Sequence, residues 1–465
     1  MTNKTNNISR TKKYIKHERD EITFKTIGIV FLIILYIMPQ YFGFQIAGFD
    51  MTSQRVMLVI LLIYIFSCPK RASEFIDIVR YSCYFPAIFA FLLVTIYTMV
   101  LRVDINSFLQ YLLEFLCLYL MLYVIKDRIG IKKAVNIFVI LIAVLCVLGL
   151  IEYVKGGSLF HYLATMKGKY VTQIRSGEYR IMGPCNHALA YGLMLEISLP
   201  LICIDVDNNE IDIFKHKILY LLLLLNVFLT GSRSTLMIFI LESVCLFFLG
   251  NREAKKRNII IIAVSIACLI IFLAVCNGSS LANTIMRQIA SVIDTIFGTQ
   301  YAANYGAEMS RLDDSKEYRK ALKYVFTVKY LSPILGRGVT KGFSGVVNGI
   351  TLISIDNFYI ATYIRYAYPG MIAYISIIIT SIVNMYRFVR RTKSKIAMAL
   401  LIGVVGYYWN LYWMDTLQSL KYVYILLDLF GVMYDKDKYK EQIYEETNTV
   451  VCSKYIKDKR RSQNG

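Results

Sequence analysis

About twelve long apolar runs constrain the fold of this chain more than any other feature of its sequence. A helix needs roughly 20 apolar residues to cross the hydrocarbon core of a bilayer. Only 18% of the residues are charged and 57% are hydrophobic, whereas a soluble domain carries roughly 25% charged residues. The sequence therefore predicts an all-α polytopic membrane protein with about 12 transmembrane helices. The predicted spans are 27–46, 52–68, 82–101, 106–125, 134–154, 184–204, 217–232, 233–250, 258–276, 358–386, 396–414 and 416–434.

The net charge of +20 predicts which side of the membrane each connecting segment occupies. With twelve spans both tails lie on one side, and the segments on that side carry 33 basic and 17 acidic residues. The segments on the opposite side carry 18 basic and 10 acidic residues. Because cytoplasmic loops are enriched in Lys and Arg, both termini are predicted to be cytoplasmic. The positive charge thus indicates sidedness, and we expect no nucleic-acid partner.

The spans and their connections divide the chain into five parts. We expect a basic cytoplasmic tail at 1–25, transmembrane helices one to nine within 26–276, and an extracytoplasmic loop domain at 277–356. Helices ten to twelve follow within 357–434, and 435–465 forms a second basic cytoplasmic tail. The first apolar run has no small-residue cleavage pattern, so it is expected to remain as a signal anchor.

The outer loop at 277–356 is far longer than an ordinary connection, and loops of that length usually have a function. Apolar periodicity predicts helices at Leu281–Phe297 and Ser315–Tyr330. A glycine-rich turn, Leu335-Gly336-Arg337-Gly338, follows. We therefore expect a small helical cap on the outer membrane surface.

Three arginines on the predicted outer face are candidates for binding an anion: Arg180, Arg233 and Arg311. The planar fork of a guanidinium matches a phosphate or diphosphate with two hydrogen bonds. Alternatively, arginines at the ends of spans extend toward lipid headgroups. The positive-inside bias predicts few basic residues on this face, which favours the anion-binding interpretation.

Asp356 lies where the tenth span is predicted to begin. A carboxylate at the water-exposed mouth of a helix can act as a general base for a hydroxyl nucleophile. It can equally cap the helix, since Asp and Asn are favoured at that position, and the two roles are compatible. Further along, Pro369-Gly370 is expected to break or kink the span.

Charged residues are also expected inside the spans, where they should face the bundle interior or an aqueous cavity. Arg365 is expected either to pair with an acid or to line a substrate groove. The same alternatives apply to Glu114, Glu196 and Glu242.

The order of these features resembles the O-antigen ligase and polysaccharide polymerase family of bacterial envelope proteins. The resemblance covers roughly residues 175–385, and each motif is weak by itself, whereas their order, sidedness and loop length together are fairly specific. The matching pieces, in chain order, are Arg180 with Gly183-Pro184-Cys185-Asn186, the hairpin Ser232-Arg233, the long loop with Arg311, Ala321-Leu322 and Pro333-Ile334-Leu335-Gly336-Arg337-Gly338, and the span start Asp356-Asn357-Phe358-Tyr359-Ile360.

The resemblance implies a membrane glycosyltransferase whose donor is a glycan linked to a polyprenyl diphosphate. Arginines would hold the diphosphate leaving group, and a base near the tenth span would accept the proton of the acceptor hydroxyl, with inversion at the anomeric carbon. No metal or other cofactor is expected. The residues implied as catalytic are Asp356, Arg233 and Arg311, and those implied as substrate-binding are Arg180, Asn186, Arg319, Arg337, Asn357 and Tyr359.

The sequence departs from the ligase branch at Asp356, where the ligases usually carry a histidine. The Asp-Asn form, with Arg365-Tyr366 further along, looks more like the repeat-unit polymerases. His187 and His161 are alternative bases.

We therefore expect a multi-pass protein of a bacterial plasma membrane that polymerises lipid-linked repeat units for capsule, exopolysaccharide or O-antigen. The expected partners are the lipid-linked oligosaccharides, the bilayer, and a chain-length regulator and flippase of the same pathway. The alternatives are a ligase that transfers the finished glycan to another acceptor, a lipid-linked oligosaccharide flippase or other transporter, and a membrane scaffold.

Overall fold

A computed structural model shows a mostly helical chain. It describes residues 2–437 except 47, 167, 169–170, 176–177, 277, 307–316, 344, 348, 353–354 and 416–418. The helices within the described residues are α1 Thr2–Ile37, α2 Ser53–Phe66, α3 Pro69–Tyr81, α4 Phe85–Arg102, α5 Asn106–Val124, α6 Ile131–Lys155, α7 Ala188–Cys203, α8 Lys217–Leu229, α9 Arg233–Leu249, α10 Arg252–Val275, α11 Ser280–Phe297, α12 317–322, α13 Phe358–Thr392, α14 Lys395–Asn410 and α15 420–437.

Short antiparallel hairpins and tighter helical turns connect these helices. The strands are β1 Gly43–Ile46 with β2 Phe49–Thr52, β3 Ile174–Arg175 with β4 Glu178–Tyr179, β5 Ile204–Asp205 with β6 Glu210–Ile211, and β7 Gly345–Val347 with β8 Ile350–Leu352. A π-helical turn, Ile125–Ile129, ends α5, and 3₁₀ turns lie at Leu159–Leu163, Tyr301–Tyr305, Lys323–Thr327 and Leu411–Trp413.

Six helices of the described chain are long and apolar enough to cross a membrane: α4, α5 continued by its π-helical turn, α6, α10, α13, and α14 continued by its 3₁₀ turn. Helices α2 and α3 raise the number to seven if they form one span, bent by 118°. Helices α7 and α8 are apolar but shorter. The membrane class expected from the apolar runs is thus supported, whereas the count of twelve stays a prediction.

The first predicted span, 27–46, ends earlier than expected. Helix α1 stops at Ile37, one residue before Met38-Pro39, and the chain then forms the β1–β2 hairpin. Proline at position 39 disfavours the helical conformation of the residue before it. Strand β2 leads directly into α2, whose first turn is capped by the Thr52 side chain.

Helix α7 lies at the centre of the bundle, because α6, α8, α9 and α14 all pack against it. Its side chains from Ala190 to Cys203 are buried on every face. A helix without a polar face belongs in a core, and the one charged residue of α7, Glu196, is fully buried there.

Helix α13 contains the break that the sequence predicts. Ala367 has a non-helical backbone (φ 56°, ψ −164°), and Pro369 follows two residues later. Proline has no backbone N–H to offer the carbonyl four residues earlier, here that of Arg365. The helix therefore runs in two halves, and the first half begins at Phe358 beside the outer loop.

The described part of the 277–356 loop forms a small core against the first half of α13. Helix α11 coincides with the first predicted loop helix, whereas α12 and its 3₁₀ turn cover only 317–327 of the second, Ser315–Tyr330. The side chains that form this core come from α12, the β7–β8 hairpin and α13: Ala321, Leu322, Val325, Leu331, Phe343, Val347, Leu352, Ile360, Tyr363 and Ile364.

Candidate functional site

A polar cavity of about 340 Å³ opens where α7 and α13 begin. Its walls come from the β1–β2 hairpin, α2, α5, α7, the outer loop, α13 and the segment after α14. Two of the predicted site residues, Asn186 and Asp356, line it directly. The complete lining is Asp50, Arg55, Gln110, Asn186, His187, Leu189, Ala190, Val339, Asp356, Arg365, Met414 and Asp415.

Asn357, and not Asp356, caps helix α13. The Asn357 side chain accepts a hydrogen bond from the backbone N–H of Ile360 (3.0 Å) and donates one to the Tyr412 carbonyl (2.9 Å). Tyr359 donates its hydroxyl proton to the Tyr408 carbonyl (2.6 Å). Asn357 and Tyr359 therefore fasten α13 to α14, and the exposed carboxylate of Asp356 faces the cavity.

Asp356 is close enough for its charge to act on three titratable neighbours. Burial lowers the pKa of His187 and of Arg319, and the Asp356 carboxylate opposes both shifts. Burial raises the pKa of Asp415, and Asp356 adds to that shift. Arg319, from α12, does not line the cavity, but it lies close enough to Asp356 for the two charges to interact.

His187 lies beside Asp356 but is poorly suited to accept a proton. Burial lowers its pKa to about 4, the positive charge of Arg180 lowers it further, and Asp356 opposes both. Its Nδ1 accepts a hydrogen bond from the backbone N–H of Leu189 (3.1 Å), which caps α7. A neutral imidazole with that bond has its remaining proton on Nε2, so it is a hydrogen-bond donor at neutral pH. His161 is exposed, and it does not line this cavity.

Arg180 connects the Arg180–Asn186 segment to the Ser232-Arg233 hairpin. Its Nε donates to the carbonyl of Thr230 (2.6 Å), in the turn that leads to Arg233. The turn residue Gly231 has φ +61°, and a Cβ there would lie 3.1 Å from Nε of Arg180. Arg233 is the first residue of α9, half-buried, and Ser232 caps the helix by accepting from Thr235 N–H. Two of the predicted anion-binding arginines thus lie at one turn.

Glu152 holds the segment that carries Arg180 and Asn186. Its carboxylate, fully buried at the end of α6, accepts hydrogen bonds from Tyr179 Oη (2.7 Å), Met182 N–H (2.8 Å) and Gly183 N–H (3.1 Å). Burial raises the energy of a carboxylate unless such donors surround it. This acid therefore has a structural role that the sequence did not reveal.

Arg337 does not reach the cavity. Its guanidinium lies 5.3 Å from the ring centroid of Tyr330, and its backbone N–H donates to the Ile364 carbonyl (2.9 Å). The neighbouring Gly338 N–H donates to the Arg365 carbonyl (3.0 Å). The glycine-rich turn thus satisfies the two carbonyls that the break in α13 leaves unpaired, and its place in the motif is structural. Arg311, the remaining predicted arginine, lies outside the described residues.

Arg365 pairs with an acid, as one of the two sequence interpretations held, but the acid is Asp415. The pair is two-pronged, with Nη1 3.1 Å from Oδ1 and a second bond between Nη2 and Oδ2. Burial raises the pKa of Asp415, and the charge of Arg365 opposes that shift. The part of the cavity wall that this pair forms therefore has almost no net charge.

Two glutamates that the sequence predicts to lie inside spans are close together and away from the cavity. Glu196 on α7 and Glu242 on α9 are 0% and 3% exposed, and Glu196 accepts a hydrogen bond from Asn410 Nδ2. The same amide donates to Thr235 Oγ1 (3.1 Å). No hydrogen-bond partner reaches either carboxylate oxygen of Glu242 within the part of the chain that the structure describes.

Four cavity residues were missed by the sequence reasoning: Asp50, Arg55, Gln110 and Asp415. Arg55 is a charged residue at the start of a predicted apolar span, and that pattern was the available signal. The other three lie on a hairpin, on the polar side of α5 and after α14, where a polar residue is ordinary. Among the described residues, no group of three or more His, Cys, Asp or Glu side chains is arranged to hold a metal ion.

Comparison with known proteins does not assign this chain to a family. No family model matches it, and no curated protein matches it.

Proposed function

We propose that the protein is a polymerase that joins polyprenyl-diphosphate-linked oligosaccharide repeat units into a surface polysaccharide. In this proposal it spans a bacterial plasma membrane about twelve times, with both tails cytoplasmic and 277–356 outside. The observation that carries the proposal is that Asn186 and Asp356, which come from separate motifs far apart in the sequence, line one polar cavity. The charge of Arg180 acts on His187 in the wall of that cavity, and the charges of Arg319 and Asp356 act on each other.

The donor diphosphate is assigned to the turn at the start of α9. Arg180 and Arg233 lie there, and Arg311 is added on the sequence alone. As the bond from the anomeric carbon to the diphosphate oxygen breaks, negative charge develops on the leaving group. Guanidinium groups already in position stabilise that charge more than they stabilise the ground state. Arg319, whose charge interacts with that of Asp356, supplies a further positive charge.

Asp356 is assigned as the general base. The acceptor hydroxyl lies in the cavity, its oxygen attacks the anomeric carbon from the side opposite the diphosphate, and its proton passes to the Asp356 carboxylate. One C–O bond forms, one C–O bond breaks, and the lipid diphosphate leaves, so the configuration inverts. A carboxylate is sufficient for this step, because glycosyl transfer through an oxocarbenium-like transition state commonly uses Asp or Glu as the base.

The proposal is tested with the purified protein in liposomes that contain polyprenyl-diphosphate repeat units. Product length is read by gel or mass spectrometry. Longer glycans on the same lipid support a polymerase. Transfer only to a foreign acceptor supports the ligase alternative instead, and intact substrate rejects both.

A cation-coupled transporter of lipid-linked oligosaccharide is the second candidate, and one observation favours it. Ionisable residues inside a membrane bundle often mark ion pathways, and Glu196 and Glu242 form such a buried pair. The same liposomes distinguish the two activities. Movement of unchanged substrate between leaflets that Glu242→Gln abolishes supports transport, whereas chain growth without that movement rejects it.

A further inference from the structure

Arg55 is a buried cation on the inner wall of the polar cavity. Its side chain, at the start of α2, is 7% exposed. It borders the main cavity on one side and a second cavity of about 20 Å³ on the other. Its Nη1 donates to the Asp50 carbonyl (2.6 Å), and its guanidinium lies 4.6 Å from the ring centroid of Phe49. The β1–β2 hairpin therefore fixes the orientation of the guanidinium.

Arg55 has carboxylates nearby, but its guanidinium is not paired with them. The small cavity behind it is lined by Glu114 and Lys421, which are 9% and 3% exposed. Lys421 donates to Oε1 of Gln54, whose amide nitrogen donates to the Met38 carbonyl (3.1 Å). Arg55 and Lys421 thus lie near two carboxylates, those of Glu114 and Asp50, and the charges of both act on Arg55. In the described part of the chain neither carboxylate forms a hydrogen bond with the Arg55 guanidinium, so its fork of donors is left for a ligand.

Arg55 has donors available for an anionic ligand. A guanidinium carries five N–H donors in a fixed fork. Within the described residues, the side-chain hydrogen bond of Arg55 uses only Nη1, and the acceptor is a backbone carbonyl. The other arginine of the cavity, Arg365, is already engaged with Asp415. Arg55 is therefore the cavity cation that can form a two-pronged bond with a ligand.

The rest of the wall suits a sugar. The amides of Gln110 and Asn186 and the carboxylate of Asp50 offer planar hydrogen-bonding groups beside Arg55. A volume of about 340 Å³ falls within the range of roughly 300–1,000 Å³ found for small-molecule sites. Asp356, which also lines the cavity, is the residue that a reacting hydroxyl would have to approach.

We propose that this cavity is the acceptor subsite and that Arg55 selects an acidic sugar residue by binding its carboxylate or phosphate substituent. The acceptor role of the cavity rests on the proposed function, whereas the binding of an acidic sugar at Arg55 does not. The neutral hydroxyls of that residue bind Gln110, Asn186 and Asp50, and the anionic substituent lies against Arg55.

Binding is measured as a thermal shift of the purified full-length protein in detergent. The probes are glucuronate, which carries a carboxylate, glucose 6-phosphate, which carries a phosphate, and glucose, which carries neither. A ligand that binds only the folded state raises the melting temperature in a concentration-dependent way. We expect a saturable shift with one acidic probe, and the probe that gives it identifies the substituent. A shift of equal size with glucose, or none with either acidic probe, overturns the proposal.

Two variants locate the binding at Arg55. Arg55→Gln should weaken the affinity for the acidic probe at least about tenfold, the factor that corresponds to about 1.4 kcal/mol. Arg55→Lys keeps the charge without the fork and should retain part of the affinity. The matched control is Arg80→Gln, a change at an exposed arginine on α3 that should leave the shift intact. An undiminished shift in both Arg55 variants refutes the assignment.

Enzyme kinetics separate this inference from the proposed function. If the protein polymerises, Arg55→Gln should raise KM for the acceptor unit about tenfold or more, with KM for the donor unchanged. Acidic-probe binding that depends on Arg55 in a protein without polymerase activity would reject the function and keep the site. Polymerase activity with unchanged acceptor KM in Arg55→Gln would reject the site and keep the function.

Discussion

Gly336→Ala should unfold the contact between the outer loop and the break in α13. A Cβ at position 336 would overlap the carbonyl group of Arg365 and the backbone nitrogen of Tyr366. These are backbone atoms on the helix side, so no side-chain rotation relieves the overlap, and the turn must withdraw.

The magnitude follows from the hydrogen bonds that the withdrawal breaks. They are Arg337 N–H to the Ile364 carbonyl (2.9 Å), Gly338 N–H to the Arg365 carbonyl (3.0 Å) and Arg102 Nε to the Gly336 carbonyl (2.7 Å). A buried polar group that loses its partner costs about 1–3 kcal/mol. With partial access of water, we expect the free energy of unfolding to fall by about 3–6 kcal/mol.

The assay is reversible unfolding of the purified protein in mixed detergent, followed by circular dichroism. Gly342→Ala is the matched control, because a Cβ at that glycine of the same loop meets no atom within 4 Å. The control should stay within about 0.5 kcal/mol of the wild type. If the two variants differ by less than about 1 kcal/mol, the turn does not complete the broken helix and the reasoning is wrong.

Three further perturbations test other parts of the site. Glu152→Ala removes the acceptor of three hydrogen bonds and should cost about 3–5 kcal/mol of stability, whereas Ile151→Ala at the exposed neighbouring position should cost little; equal stabilities would contradict the role of Glu152. The folded-state pKa of His187 is about 4, below an unfolded value of about 6.5, so its contribution of about 3 kcal/mol is fully present above pH 6.5 and is lost as pH falls toward 4. In His187→Asn the free energy of unfolding should fall less between pH 6.5 and 4. If it falls as steeply as in the wild type, His187 is not the group that causes the loss. Asp356→Asn, at an exposed position, should leave the melting temperature unchanged and lower kcat about 10²–10⁴-fold; full activity would remove Asp356 as the base.

Local patterns predicted the local features of this fold well. Apolar runs located the helices, the Pro369-Gly370 pair located the break in α13, and Asp356-Asn357 located its capped start. Each of these depends on residues a few positions apart, where periodicity, a missing N–H or a cap determines the conformation. The end of α1 was missed, although Pro39 was a visible signal for it.

The site depends on contacts that no local pattern encodes. Arg365 pairs with Asp415, fifty positions later in the sequence. Arg55 and Lys421 line the same small cavity, although they lie near opposite ends of the chain. Arg337 resembled Arg233 in the sequence, since both lie in a turn on the predicted outer face. Only the packing of the turn against α13 shows that the Arg337 guanidinium is directed toward Tyr330.

The same packing defines which parts of the protein can be exchanged. The glycine-rich turn donates hydrogen bonds to the two carbonyls that the break in α13 leaves unpaired. The loop and α13 should therefore be exchanged together between related proteins. A recombination breakpoint between 338 and 364 would join a turn from one parent to a broken helix from another. Chimeras of this protein should therefore carry the loop and α13 together, with residues 102–107, whose side chains also bind the turn.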